Sequence, residues 1–293
     1  MVDTTDLPYR LICRKSGAGM AYIEMLNINA ILHENEKTLN LLKTSPDDKP
    51  SGIQITGPTI KEFQAVIPYL KPYDIIDINC GCPSIRTLDN ASGSYLLKTP
   101  KKIASFIRIL KDAGYTTTAK IRLGFKNNNV LKVAKEIEKA GADALTVHAR
   151  LSWHSNKVPA DWSWIAKVKD NIGIPVIGNG DIHNGQEAEK MLEIADGAMI
   201  ARAAIGDPLI FSRIQHYLKT GKEEPFNFKA NIKSFSDYLE LSKKHNVIDM
   251  HRIRSLGAHF IRNEQGSAKL RSEFMKLKKF DDALEFTKKL ISS

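Results

Sequence analysis

Cysteine is scarce. Cys13, Cys80 and Cys82 are the three in 293 residues, too few and too unevenly spread for a disulfide framework, which argues against a secreted scaffold and for a reducing, cytoplasmic setting. Long apolar runs are missing too. No stretch approaches the ~20 residues of a membrane span, and Met1 leads into polar V-D-T-T-D, not a signal core, so no membrane or export segment is expected. The glycine fingerprint of a dinucleotide fold is absent, as is any histidine pair at ligand spacing; C-G-C at Cys80 to Cys82 has no further cysteine nearby, and no metal site is expected. Acidic residues are the minority sign, 33 against 43 Lys and Arg, and the formal charge of +10 favours a polyanionic partner without requiring one. With 42% hydrophobic and 8% aromatic residues the composition is that of a globular protein, which excludes disordered and fibrous classes.

What is present is a βα rhythm. Short apolar runs at Ala21 to Leu26, Gly52 to Thr56, Ile75 to Asn79, Thr117 to Leu123, Ala144 to His148, Pro175 to Gly178 and Gly197 to Ala201 alternate with helix-patterned stretches, each run bounded by Gly, Pro, Asn or Asp. Near-continuous apolar strands joined by single helices predict a parallel sheet buried on both faces. An open doubly wound sheet fits the same rhythm, but the chemically loaded residues follow strand after strand, not one switch point, which favours an α/β fold of the TIM (β/α)8 type. Seven strands leave that barrel one short. In such a barrel Gln54, Asn79, Cys82, Lys120, Arg122, His148, Asn179 and Arg202 share one mouth. The barrel is expected to occupy residues 1–224. Residues 225–293 carry no strand pattern, read as three or four amphipathic helices, and hold 14 Lys or Arg against 8 Asp or Glu. They form a small all-α domain, and charge alone does not choose between a polyanion docking surface and solvated helix faces.

Three stretches carry chemistry. D-I-N-C-G-C-P-S, Asp77 to Ser84, ends a buried strand, and Gly81 and Pro83 turn the chain around Cys82. A thiol there is placed to act as nucleophile or acid, the bland reading being inert packing; Cys80 and Cys13 read as core. The second, I-P-V-I-G-N-G-D followed by D-G-A-M-I-A-R, sets small residues at two successive strand ends. Backbone N–H groups there approach an anion, and Asn179, Gly180 and Arg202 read as a phosphate cradle in preference to two ordinary turns. The third is A-K-I-R-L-G with T-V-H-A-R. Lys120 and His148 alternate with apolar neighbours, and a lysine inside a barrel needs an anionic partner such as a flavin.

Together these stretches resemble the tRNA-dihydrouridine synthases, over nearly the whole chain. T-D-L-P-Y-R, Y-I-E-M, I-Q-I-T-G, D-I-N-C-G-C-P, K-I-R-L-G, V-H-A-R, P-A-D-W, G-N-G-D and I-A-R-A occur in order, followed by R-I-R-S-L-G-A-H-F from Arg252 and G-S-A-K-L-R from Gly266. The resemblance implies an FMN enzyme that uses NADPH to reduce one uridine of tRNA to dihydrouridine. In that family's scheme Cys82 matches the acid that protonates C5 while hydride reaches C6. Gln54, Lys120 and His148 match flavin contacts, and Asn179, Gly180, Ala201 and Arg202 the phosphate site. Asn79, Lys120 and Arg122 match residues near the target base, and Arg252, Arg254 and Arg271 fall in the tRNA-binding helices. A base must leave the tRNA stack to be read in such a pocket. The sequence departs from the family at three places. The strand ending in A-P-M has no counterpart before Met1, so the first strand is expected to be missing or truncated. Cys80 stands where Met is common and Ala201 where Gly is usual, and Ala91 and Ser92 alter the loop after Cys82. The competing readings are an FMN barrel acting on a free pyrimidine, like the dihydroorotate dehydrogenases, and a non-catalytic RNA-binding barrel.

Overall fold

The computed structural model describes residues 3–262 and 264–292. Seven strands, β1 (Ala21–Asn27), β2 (Ser51–Thr56), β3 (Ile75–Cys80), β4 (Thr116–Gly124), β5 (Ala144–Leu151), β6 (Val176–Asn179) and β7 (Gly197–Met199), form one parallel sheet in sequential order. A doubly wound sheet reverses its order at a switch point; this one does not, and its winding is that of a TIM-like barrel wall with helices around it. β7 stops short of the expected Ala201 because the backbone there, at φ −120° and ψ −100°, leaves the extended region and enters the 3-10 turn Arg202–Ala204.

The strands are not apolar on both faces. Ile76, Ile78 and Cys80 of β3, Ala119, Ile121 and Leu123 of β4, and Leu145, Val147 and Ala149 of β5 point outward into the helix layer. There Phe63 and Phe106 stack at 3.9 Å. Their alternate neighbours carry polar side chains, as the two-residue period of a strand requires. The register aligns these neighbours in layers: Gln54, Asp77 and Thr118, then Asn79, Lys120 and Thr146, then Arg122, His148 and Asn179. Lys120 reaches from β4 past β5 to Asn179 of β6, 2.8 Å away, so the polar face is concave.

Among the described residues β1 and β7 do not pair with each other. The opening expected at Met1 lies outside the described residues. Contact between the two ends of the series runs through the helix Leu7–Lys15: Tyr9 donates its hydroxyl to the carbonyl of Ala204 and accepts the Gly206 N–H at 2.9 Å, beyond β7. Arg10 forms a fully buried ion pair with Asp48, ahead of β2, at 2.7 Å.

A second core lies under the C-terminal helices Phe228–Lys244, Met250–Phe260, Ser267–Phe274 and Phe280–Ser292. It gathers Ile232, Phe235, Tyr238, Phe260 and Phe274 together with Tyr9, Ile12 and Cys13. The helix Leu7–Lys15 therefore contributes to the core of the C-terminal helices, although it falls within the stretch expected to form the barrel; its apolar face matches theirs. No helix among the described residues is long and apolar enough to cross a membrane.

Candidate active site

The concave face carries a hydrogen-bonded relay that begins at a buried acid. Asp77, 2% exposed, accepts from the Thr118 hydroxyl at 2.6 Å and from the Gln54 side-chain amide at 2.7 Å. The oxygen of that amide accepts from Asn79 Nδ2 at 2.8 Å. Asn79 Oδ1 in turn accepts the backbone N–H groups of Gly81 and Cys82 at 3.1 and 2.9 Å, which fixes the turn that carries the thiol. Burial pushes the Asp77 carboxyl up to about 6, against the Thr118 and Gln54 hydrogen bonds and the Lys120 charge.

Cys82 is half-buried at the end of this relay. Its thiol lies 3.4 Å from Ser84 Oγ and 3.5 Å from Thr87 Oγ1. The following loop folds over it: Ser94 N–H donates to the Cys82 carbonyl at 3.0 Å, and Gly93 N–H donates to Thr56 Oγ1 at 3.2 Å. Gly93 has φ +58°, and a Cβ there would stand 2.8 Å from the Cys82 carbonyl oxygen and collide with Thr87 Cγ2. Arg122, from β4, runs its stem over Gly81, the residue before Cys82, and donates to the Leu151 carbonyl at 2.8 Å.

The floor beside the thiol is strongly cationic. Lys120 donates to Asn179 Oδ1, and Asn179 Nδ2 donates to the Met199 carbonyl at 2.8 Å, joining β4, β6 and β7. Burial lowers Lys120 to about 8; Asp77 opposes this and Arg122 adds to it. His148 is driven down to about 2, first by burial and then by Lys120, Arg122, Arg150 and Arg202. It is a neutral imidazole whose Nε2 accepts from Arg150 at 3.1 Å, placing its proton on Nδ1.

His148, Asn179, Gly180, Asp181, Ala201 and Arg202 line a cavity of about 40 Å³. Gly180, at φ +119°, allows the backbone in: an added Cβ would meet Ala160 Cβ at 2.9 Å and His148 Cδ2 at 3.0 Å. Asp181 bridges Arg150 at 2.6 Å and Arg202 at 3.2 Å. Burial raises the Asp181 carboxyl, but the Arg150 hydrogen bond, the Ala160 N–H and the two arginine charges outweigh that and hold it below its usual range. Arg150 is fully buried and fixed by the Val158 and Asn156 carbonyls as well, whereas Arg202 is half exposed on its single pairing with Asp181.

The dihydrouridine synthase family model matches residues 1–293. tRNA-dihydrouridine synthase B of Pseudomonas aeruginosa is 37% identical over 232 residues, spanning 77% of this chain and 70% of that protein. A probable tRNA-dihydrouridine synthase of Rickettsia bellii is 36% identical over 233 residues, 77% of this chain and 72% of that one. The chain belongs to the dihydrouridine synthase family. Its members are oxidoreductases, and this chain is an enzyme of that class. Among solved structures, a mutant FabK from Thermotoga maritima matches with a TM-score of 0.45 and 16% identity, over 70% of this chain and 60% of that one, too distant a likeness to bear on function.

In this synthase-family chain the strand-borne residues singled out from sequence lie on one face, and Gly180, Ala201 and Arg202 border the same cavity. Of the tail arginines, Arg252 does not fit the role expected of it. Arg252 is buried, donating to Glu24 Oε1 at 2.7 Å and facing Asp6 at 3.7 Å, so it joins the helices to β1 and is not free to meet RNA. Arg254 is half-buried and donates to the Leu277 carbonyl at 3.2 Å; Arg271 donates to Ser267 Oγ at 2.9 Å, one turn back on its own helix. Residues missed in the sequence were Asp77, Thr118, Arg150, Asp181 and Gly93. Asp77 and Arg150 were detectable, each sitting two residues from an identified site residue on the same strand and therefore on the same face.

Proposed function

We propose that this chain reduces a uridine of tRNA to 5,6-dihydrouridine, with FMN as cofactor, NADPH as electron donor and Cys82 as the acid, on the wall of a (β/α)8-type barrel. One observation carries the reading: Asn79 ties the Cys82 turn to the same concave face that presents Lys120, Arg122 and the small cationic cavity.

The donor set fits a flat anion with a phosphate tail. Lys120, Arg122, Arg150 and Arg202 face two carboxylates, Asp77 and Asp181, and Gly180 leaves room that a side chain would fill. Gln54, Lys120 and His148 would hold the ring and ribityl portions, and Asn179, Gly180, Ala201 and Arg202 the phosphate, with Arg202 leaving Asp181 to do so. Bound there, the flavin supplies the hydride that C6 of the uracil receives.

The chain's own residues do the rest. Asn79 and Arg122 present an amide and a guanidinium to the polar edge of the base, the groups that make extrusion from the RNA stack selective. Cys82 gives its proton to C5, and the C–H bond formed there completes saturation of the C5–C6 double bond. Arg122 stabilises the thiolate left behind, and the Ser84 and Thr87 hydroxyls hold the sulfur in place. The working place of such an enzyme is the cytoplasm, where tRNA and NADPH are available.

Purified protein given NADPH and unmodified tRNA is expected to form dihydrouridine. Cys82→Ala should keep flavin and tRNA binding while turnover falls by about 10²- to 10⁴-fold, the usual contribution of a positioned acid. Reduction of a free pyrimidine in place of tRNA, or full turnover by Cys82→Ala, overturns the assignment.

A further inference from the structure

Three consecutive strand-end loops, those after β3, β4 and β5, each carry an aromatic ring. The loop after β3 carries Tyr95, the loop after β4 carries Phe125, and the loop after β5 carries Trp153. Trp153 is 67% exposed and Ile85, beside Cys82, 78%, an unusual concentration of apolar surface on the rim of a polar mouth.

These rings are held in place. Trp153 Nε1 donates to the Lys126 carbonyl at 3.1 Å, tying the third loop to the second, and its ring meets His154 edge-on at 4.5 Å. Tyr95 and Phe125 meet edge-to-face at 6.1 Å, with Lys98 Nζ 4.0 and 4.1 Å from their centroids. Their distance from the chemistry is short along the bonded path. Ser152, next to Trp153, is hydrogen-bonded to Ser94 at 2.6 Å, and Ser94 donates to the Cys82 carbonyl at 3.0 Å. Residues 93–98, 124–129 and 151–158 contain Lys98, Lys126 and Lys157 and no acid.

We infer that Trp153 is a stacking platform for a nucleobase that flanks the uridine entering the mouth, braced from below by the Tyr95–Phe125 pair, which packs toward the core through Phe125 under Lys98. The inference rests on the proposed function, and RNA is the partner because the segments that carry the rings combine a fixed, exposed indole with three lysines and no acid. Every base offers a π-face, so rings of this kind bind single strands irrespective of sequence, while the lysines meet the phosphates between the bases. A single strand held open on the rim keeps the target base from restacking, which is the cost that extrusion must otherwise bear.

Binding of fluorescently labelled unmodified tRNA to the flavin-loaded protein tests this, with wild type, Trp153→Ala, Trp153→Phe and Lys126→Ala compared over a range of salt concentrations. Trp153→Ala should weaken binding about tenfold and Trp153→Phe by about twofold, both with the wild-type salt slope, because stacking releases no counterions. Lys126→Ala should instead reduce the slope by about one ion. Flavin content and melting temperature should match wild type in the Trp153 variants. If wild type forms dihydrouridine but Trp153→Ala binds tRNA equally well, or Trp153→Phe is as weak as Trp153→Ala, the platform is refuted and the proposed function stands. A wild-type protein that forms no dihydrouridine removes both.

Discussion

Asp77 reaches no reacting atom in the structure, yet the orientation of the site depends on it. A side-chain amide can present either end, and Asp77 decides the end by accepting from Gln54 Nε2, which leaves the Gln54 oxygen to orient Asn79. Asp77→Ala should release this order and lower kcat/KM by about 10- to 100-fold, the scale of a misplaced site. Asp77→Asn should be milder, because its oxygen still accepts from Gln54 while the Thr118 hydroxyl turns to accept the new amide. The two variants separate geometry from charge. Folding raises the Asp77 carboxyl from 3.8 to about 6, so as pH falls the folded chain takes this proton before the unfolded one. Stability from this group therefore grows between about pH 6 and 3.8, while the relay loses an acceptor. A pH profile of kcat/KM should show an acid limb near 6 in wild type that Asp77→Asn lacks. His148, held down to about 2 by burial and four cations, should stay neutral, with no titration of its ring signals by NMR between about pH 5 and 8.

At the scale of elements, the segment from Cys82 to Lys98 is built as a cover for the thiol, and Gly93 is its tightest point. Gly93→Ala would force a Cβ into Thr87 and the Cys82 carbonyl at a positive φ. The expected cost is about 1–3 kcal/mol, read as a lower melting temperature together with loss of turnover, since the residue pushed aside carries the acid. This cover is not visible in the sequence, where the same stretch shows only a turn after Cys82; its closure depends on Thr56 at the end of β2 and Ser152 in the loop after β5. The strands themselves were legible because β-branched and apolar residues recur between Gly, Pro and Asn. What periodicity could not supply was the sign of each face. Asp77 and Thr118 read as interruptions in buried strands, and only register, which brings Gln54 opposite Asp77 and Asp77 opposite Thr118, turns them into one network. Lys120, His148 and Asn179 were recognisable because a charged or amide group in so apolar a context requires a partner.

For the whole molecule the placement of Arg252 is the informative one. Charge counts along a sequence cannot tell a basic residue facing solvent from one closing an internal ion pair, and Arg252 is the latter. Arg252→Met should leave buried Glu24 without its cation and Asp6 with the Arg10 charge alone, and cost about 3–5 kcal/mol by chemical denaturation, with Glu24→Gln in the same chain recovering part of it. The same region unites the two ends of the polypeptide: Tyr238 donates to Asp6 at 3.0 Å across 232 positions of sequence. On a ribosome adding about 5–20 residues per second, the nascent Asp6 and Tyr9 wait roughly ten to fifty seconds for Tyr238 to be made. Throughout that interval the face of the helix Leu7–Lys15 that meets Phe235, Tyr238 and Phe260 stays uncovered, so the emerging chain needs shelter there until the C-terminal helices are made.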